Sequence, residues 1–172
     1  MVRRHAQRHG FGAAAKEAHF VAAPLLAAAA LGLAGVVAGA DDEFRWPGVI
    51  LLLLVATSMA LIASIQMSYY ALQFKFTWEE REARRKAYDW VEPTEEAKTE
   101  ILKQSQIAYE DNLRYAGIVF NAGTLMLGLG IAAALVPPDC GEQFRWRIAS
   151  AILVLLCTVA DAVWVWFLVK KW

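Results

Sequence analysis

The chain alternates between long apolar runs and short polar breaks, with four apolar runs at 19–40, 48–74, 115–137 and 147–169. Each is close to the ~20 residues a helix needs to cross a ~30 Å hydrocarbon core. A bilayer offers no water to peptide groups, so such runs cross as helices that satisfy their own hydrogen bonds. The pattern predicts an all-α membrane protein, a four-helix bundle with four transmembrane helices.

The spans differ in texture. The first is built of small residues, and Gly35 and Gly39 form a G-x-x-x-G pair that lets helix backbones approach closely. An internal packing face is expected there, with a dimer or pore-lining face as the alternative. The second is Leu- and Val-rich at first, then turns polar and aromatic at Ser64, Gln66, Ser68, Tyr69, Tyr70 and Gln73. The third returns to small residues (Gly117, Gly123, Gly128, Gly130), and Pro137-Pro138 ends it. The fourth is bulky, with Leu153, Leu156, Trp164, Trp166 and Phe167.

Between the second and third spans lies the one sizeable charged stretch, 75–114. No Gly or Pro interrupts the chain from Gly48 to Pro93, nor from there to Gly117. Glu80 with Arg84, Glu82 with Lys86 and Glu110 with Arg114 are i,i+4 pairs in the favourable order. Ala97, Ile101, Ala108, Tyr109 and Leu113 recur near helical period. The second and third helices are therefore expected to continue out of the bilayer as an antiparallel hairpin turning at Trp90–Pro93. Tyr88, Trp90 and Val91 at its tip form a candidate partner surface, or else staple the tip against Ala97 and Ile101.

The two membrane hairpins, 19–74 and 115–172, share a grammar that suggests a tandem two-helix repeat. Leu31-Gly32-Leu33 recurs as Leu127-Gly128-Leu129, and Phe44-Arg45-Trp46 recurs as Phe144-Arg145-Trp146. The latter six residues suit membrane-interface anchors, with rings among headgroups and Arg reaching phosphate. Chance likeness between Ala-, Gly- and Leu-rich segments is the competing explanation.

Composition adds orientation. Of 172 residues 58% are hydrophobic, above the usual half of a soluble domain. Lys and Arg number fourteen in the tail 1–18, the middle segment and the C-terminus, against three in the two other connections. By the positive-inside rule both termini and the hairpin are cytoplasmic; in a bacterium the membrane is then the plasma membrane. The basic tail suits anionic headgroups. Ala38-Gly39-Ala40 resembles a signal cleavage site, but the run before it is too long for one. A formal net charge of zero points to no nucleic-acid partner. The cysteines, Cys140 and Cys157, fit neither a disulfide framework nor a metal signature.

Asp161 is the one carboxylate inside an apolar run. It lies nine residues before Lys170, about 13 Å in from that end. A charge there is costly, so it must face the bundle interior or be held protonated. With Asn121, Thr124, Ser64 and Gln66 it makes a candidate intramembrane polar cluster, either a structural clamp or a proton- or cation-responsive site. No nucleophile elbow, phosphate loop, metal-ligand set or acid/base pair is evident. No catalytic residue, cofactor or metal is expected, and the chain is not read as an enzyme. The expectation is a non-enzymatic scaffold or regulatory subunit acting through the cytoplasmic hairpin. The alternative is an oligomeric ion channel or pore-forming effector with Asp161 in or near the path. Expected partners are the lipid bilayer, further copies or a larger membrane complex, and a cytosolic protein at the hairpin.

Overall fold

A computed structural model of the chain describes residues 18–74, 94–138 and 144–170. Outside them lie the tail to residue 17, the hairpin's expected first arm and tip at 75–93 with Tyr88, Trp90 and Val91, and the 139–143 loop with Cys140. Helix α1 (Ala23–Gly39) follows a π-helical turn at Ala18–Ala22; α2 is Pro47–Leu72, α3 is Glu95–Leu135 and α4 is Phe144–Lys170. The described residues contain no strand, and all four helices are long and apolar enough to cross a membrane.

Local chemistry sets the ends. Pro24 and Pro47 each occupy the first turn of their helix, where the missing N–H costs nothing. Thr94 caps α3, its hydroxyl accepting from the Ala97 N–H at 3.4 Å, with Glu95 and Glu96 favourable to the dipole in the first turn. Lys98 pairs with Glu95 at 2.7 Å. Regular geometry in α2 ends at Leu72, where Gln73 and Phe74 close a tighter turn onto Tyr70 and Ala71. α3 instead runs on as one 41-residue helix, about 60 Å long.

The packing is serial. α1 lies on α2, α2 on α3 and α3 on α4, and α1 only grazes α3. α4 makes no substantial contact with α1 or α2. Among the described residues the helices thus pack in series as an antiparallel set. The more covered positions of α4 (Ala151, Val154, Thr158, Ala162, Val165) form a single stripe, and the exposed remainder mixes bulky residues with small ones such as Ser150, Cys157 and Ala160. Only 6% of its most apolar window is buried, against 33% for α2, so α4 is held from one side.

Lipid tails are as apolar as leucine, so no hydrophobic force drives the spans together; close packing and hydrogen bonds must. The buried positions show how. In α1 they are Ala23, Ala27, Ala30, Ala34 and Val37, alternately four and three residues apart. In α2, Ile50, Leu54, Thr57, Leu61, Ser64, Ser68 and Ala71 keep the same spacing. In α3, Ala116, Gly123 and Gly130 recur every seven residues. This 3.5-residue period is that of a coiled-coil seam. Leu54 seats opposite Gly130 and Leu61 opposite Gly123, so a step of seven along α2 matches a step of seven back along α3.

The G-x-x-x-G pair does not serve as the expected internal face. Gly35 and Gly39 are exposed, and a Cβ on either would meet nothing within 4 Å. The alanine seam turns α1 toward α2 and leaves the glycines on the other side. The two Leu-Gly-Leu glycines also differ: Gly32 faces open space, whereas Gly128 lies against Thr158.

Candidate functional site

Polar side chains within the four spans fall into separate settings. The first is the α2 seam. Thr57, Ser58, Ser64 and Ser68 are all essentially inaccessible to solvent. The Ser58 hydroxyl donates to the Leu54 carbonyl at 2.9 Å within its own helix, and the Ala27 carbonyl of α1 lies within its reach at 3.3 Å. The Thr57 and Ser68 hydroxyls have no hydrogen-bond partner among the described residues. Each such orphan hydroxyl costs about 1–3 kcal/mol. Of these four, the reading from sequence singled out only Ser64 as a site candidate. The signal it passed over was size and polarity at heptad spacing, which marks α2's inner stripe more clearly than hydrophobicity does.

The second setting is the α3–α4 contact. Thr158 donates to the Val154 carbonyl at 2.8 Å and rests on Gly128. Asn121 lies seven residues before Gly128, hence on the same side of α3, and is half-buried. The Thr124 hydroxyl donates to the Asn121 carbonyl at 2.9 Å and is thereby occupied within its own helix.

Asp161 and Gln66 stand apart. Gln66 is exposed on α2, and Asp161 is exposed on α4. Asp161 makes no hydrogen bond or ion pair among the described residues. The geometric cause is register. Thr158 and Ala162 point α4 at α3, and Asp161 falls to one side of that stripe. The five expected members of one polar cluster are therefore spread over α2, α3 and the outward side of α4.

At the span ends, Phe44 packs against the α1–α2 core, while Arg45 and Trp46 are exposed with the guanidinium 5.2 Å from the indole centroid. Arg145 and Trp146 are likewise exposed, and Phe144 is half-buried. Arg147 reaches back from α4 to the Ala134 carbonyl of α3 at 3.5 Å. Both triplets thus put an exposed cation beside an exposed ring, a combination suited to phosphate and headgroup. Among the described residues, no three His, Cys, Asp or Glu side chains gather as metal ligands.

No protein-family model, curated protein or solved structure matches this chain. Function is therefore argued from the chain's own geometry, and the feature that most departs from a self-contained membrane domain is α3. Its polar half carries a stripe of partly buried residues, Ala97, Ile101, Ser105, Ala108 and Asn112, that runs without a break into Ala116. Neighbouring polar side chains close on themselves: Gln104 on Glu100 at 3.3 Å and Gln106 on Glu110 at 3.0 Å.

Proposed function

We propose that this chain is a small integral membrane scaffold or regulatory subunit, without enzymatic activity, that engages partners through the helical hairpin at 75–114. Its termini and hairpin lie in the cytoplasm, as the Lys and Arg distribution favours. One observation carries the reading: α3 is a single helix from Glu95 to Leu135, so its polar half and its seam with α2 are one rigid element. A partner that moves the hairpin moves Ala116, Gly123 and Gly130 with it. The test replaces 79–110 in the full chain with a short Gly/Ser linker and compares protein neighbours crosslinked in native membranes. Loss of cytosolic neighbours with insertion intact is expected. An unchanged set of neighbours refutes the scaffold reading.

A second reading, an oligomeric channel or pore-forming effector, is favoured by one observation: Asp161 faces outward from the single copy. Its test is ion flux through liposomes holding the full chain. Flux altered by Asp161→Asn supports it, and sealed liposomes refute it.

A further inference from the structure

The outward side of α4 presents a carboxyl that lipid cannot accommodate. Asp161 is exposed, without a hydrogen bond or ion pair among the described residues, 17 positions after Phe144 and nine before Lys170 in the 27-residue helix. Within 20–39, 48–72, 115–135 and 148–167 the sequence has no Lys, Arg or His. Within these core segments there is therefore no cation at the depth of Asp161; His19 and Arg147 stand only at the ends of their runs. An unpaired carboxyl at that depth is costly, and none of the described residues of the chain supplies its partner.

Symmetry narrows the choice. Copies of one chain insert in one orientation, so two copies related by a two-fold axis along the membrane normal run their α4 helices parallel. Identical residues then stand at identical depth. A carboxylic acid is self-complementary, since one O–H donates while the other oxygen accepts. Cys157, Asp161 and Trp164, at i, i+4 and i+7, share one face of α4, and all three are exposed. Among the described residues, α3 is the one helix with substantial contact to α4, and this face of α4 is left exposed.

We propose that two copies of this chain associate through α4, with the two Asp161 side chains meeting as a neutral hydrogen-bonded pair on a seam that includes Cys157 and Trp164. The second copy completes the polar site that a single chain leaves open. The pairing requires only that α4 crosses the membrane. It is independent of the hairpin's role, which the 79–110 replacement tests separately.

The experiment uses the full chain in proteoliposomes, carrying Cys140→Ser so that Cys157 is the remaining thiol. Copper phenanthroline takes two electrons and two protons from a pair of thiols, and a disulfide-linked dimer through Cys157 is expected. With Cys157 replaced by serine, a single cysteine moved to position 153 or 164 crosslinks likewise. One moved to 159 or 163, on the far side of the helix, does not. Asp161→Asn keeps a donor and an acceptor and keeps the dimer. Asp161→Leu, which inserts at least as readily, weakens association about tenfold, the scale of losing the two interhelical hydrogen bonds of the pair. Crosslinking at no position, or equally at all of them, overturns the proposal. So does an Asp161→Leu chain that pairs as well as the parent. Reaction of Cys157 with a membrane-impermeant, water-soluble thiol reagent also overturns it, because the seam then lines water.

Discussion

Leu61 of α2 seats in the gap left by Gly123 of α3: a Cβ at Gly123 would lie 3.1 Å from the Leu61 Cγ and Cδ2. Seven residues away on each helix, Leu54 and Gly130 repeat the arrangement at 3.2 Å. In lipid, where burial of apolar surface gives no net drive, fitted contacts of this kind hold α2 to α3.

Filling the gap should separate the helices, and emptying its occupant should leave a void. Gly123→Val is expected to destabilise the α2–α3 seam by about 1–3 kcal/mol through overpacking. Leu61→Ala should cost about 2–5 kcal/mol as a cavity. The double variant should recover at least about 1 kcal/mol relative to the sum, the signature of direct contact. Reversible unfolding in mixed micelles measures all three, and strict additivity would show that the residues do not meet.

Gly128 is the corresponding point on the α3–α4 side. A Cβ there runs into the Thr158 hydroxyl. Gly128→Ala should loosen α4 by about 1–3 kcal/mol. Adding Thr158→Ala should restore it, since the Thr158 hydroxyl bonds only within its own helix at Val154. Proteolytic release of α4 or the same unfolding assay reads the effect. Equal stability of Gly128→Ala and the parent is incompatible with the contact.

The α2 hydroxyls should respond with opposite signs. Ser58→Ala removes a bond that reaches α1 and is expected to cost roughly 0.6 kcal/mol, typical of interhelical hydrogen bonds in a bilayer. Thr57→Val removes a hydroxyl with no partner among the described residues and should stabilise by about 1 kcal/mol. Ser68→Ala should follow Thr57→Val. If Thr57→Val weakens the fold, the Thr57 hydroxyl has a partner in the working assembly.

The four helices were legible in the sequence because ~20 apolar residues leave little alternative to a span. Which side of each helix faces its neighbour was not, because in a bilayer both sides are apolar. In α1 the buried positions are Ala23, Ala27, Ala30, Ala34 and Val37, while the exposed ones mix Leu25 and Leu31 with Ala28, Gly32 and Gly35, so neither hydrophobicity nor size alone separates the sides. Read for size, Ala116, Gly123 and Gly130 announce their seam; read for hydrophobicity, they are lost among other small residues. The G-x-x-x-G pair misled for the same reason, since Gly35 and Gly39 are small on a side that none of the described residues covers. Asp161 was recognised as exceptional from its type. Its outward position depends on where Thr158 and Gly128 lock α4, and that register follows from packing between helices rather than from either helix alone.

The scaffold reading rests on four membrane crossings with α3 continuing into the cytoplasm. Single cysteines, in a background lacking Cys140 and Cys157, placed at Asp42 between α1 and α2 and at Gln106 on the polar half of α3, test this most directly with a membrane-impermeant thiol reagent. The account predicts that position 42 labels in intact cells and that position 106 labels only after permeabilisation. Labelling of position 106 in intact cells, or of positions 42 and 106 from the same side, would contradict it.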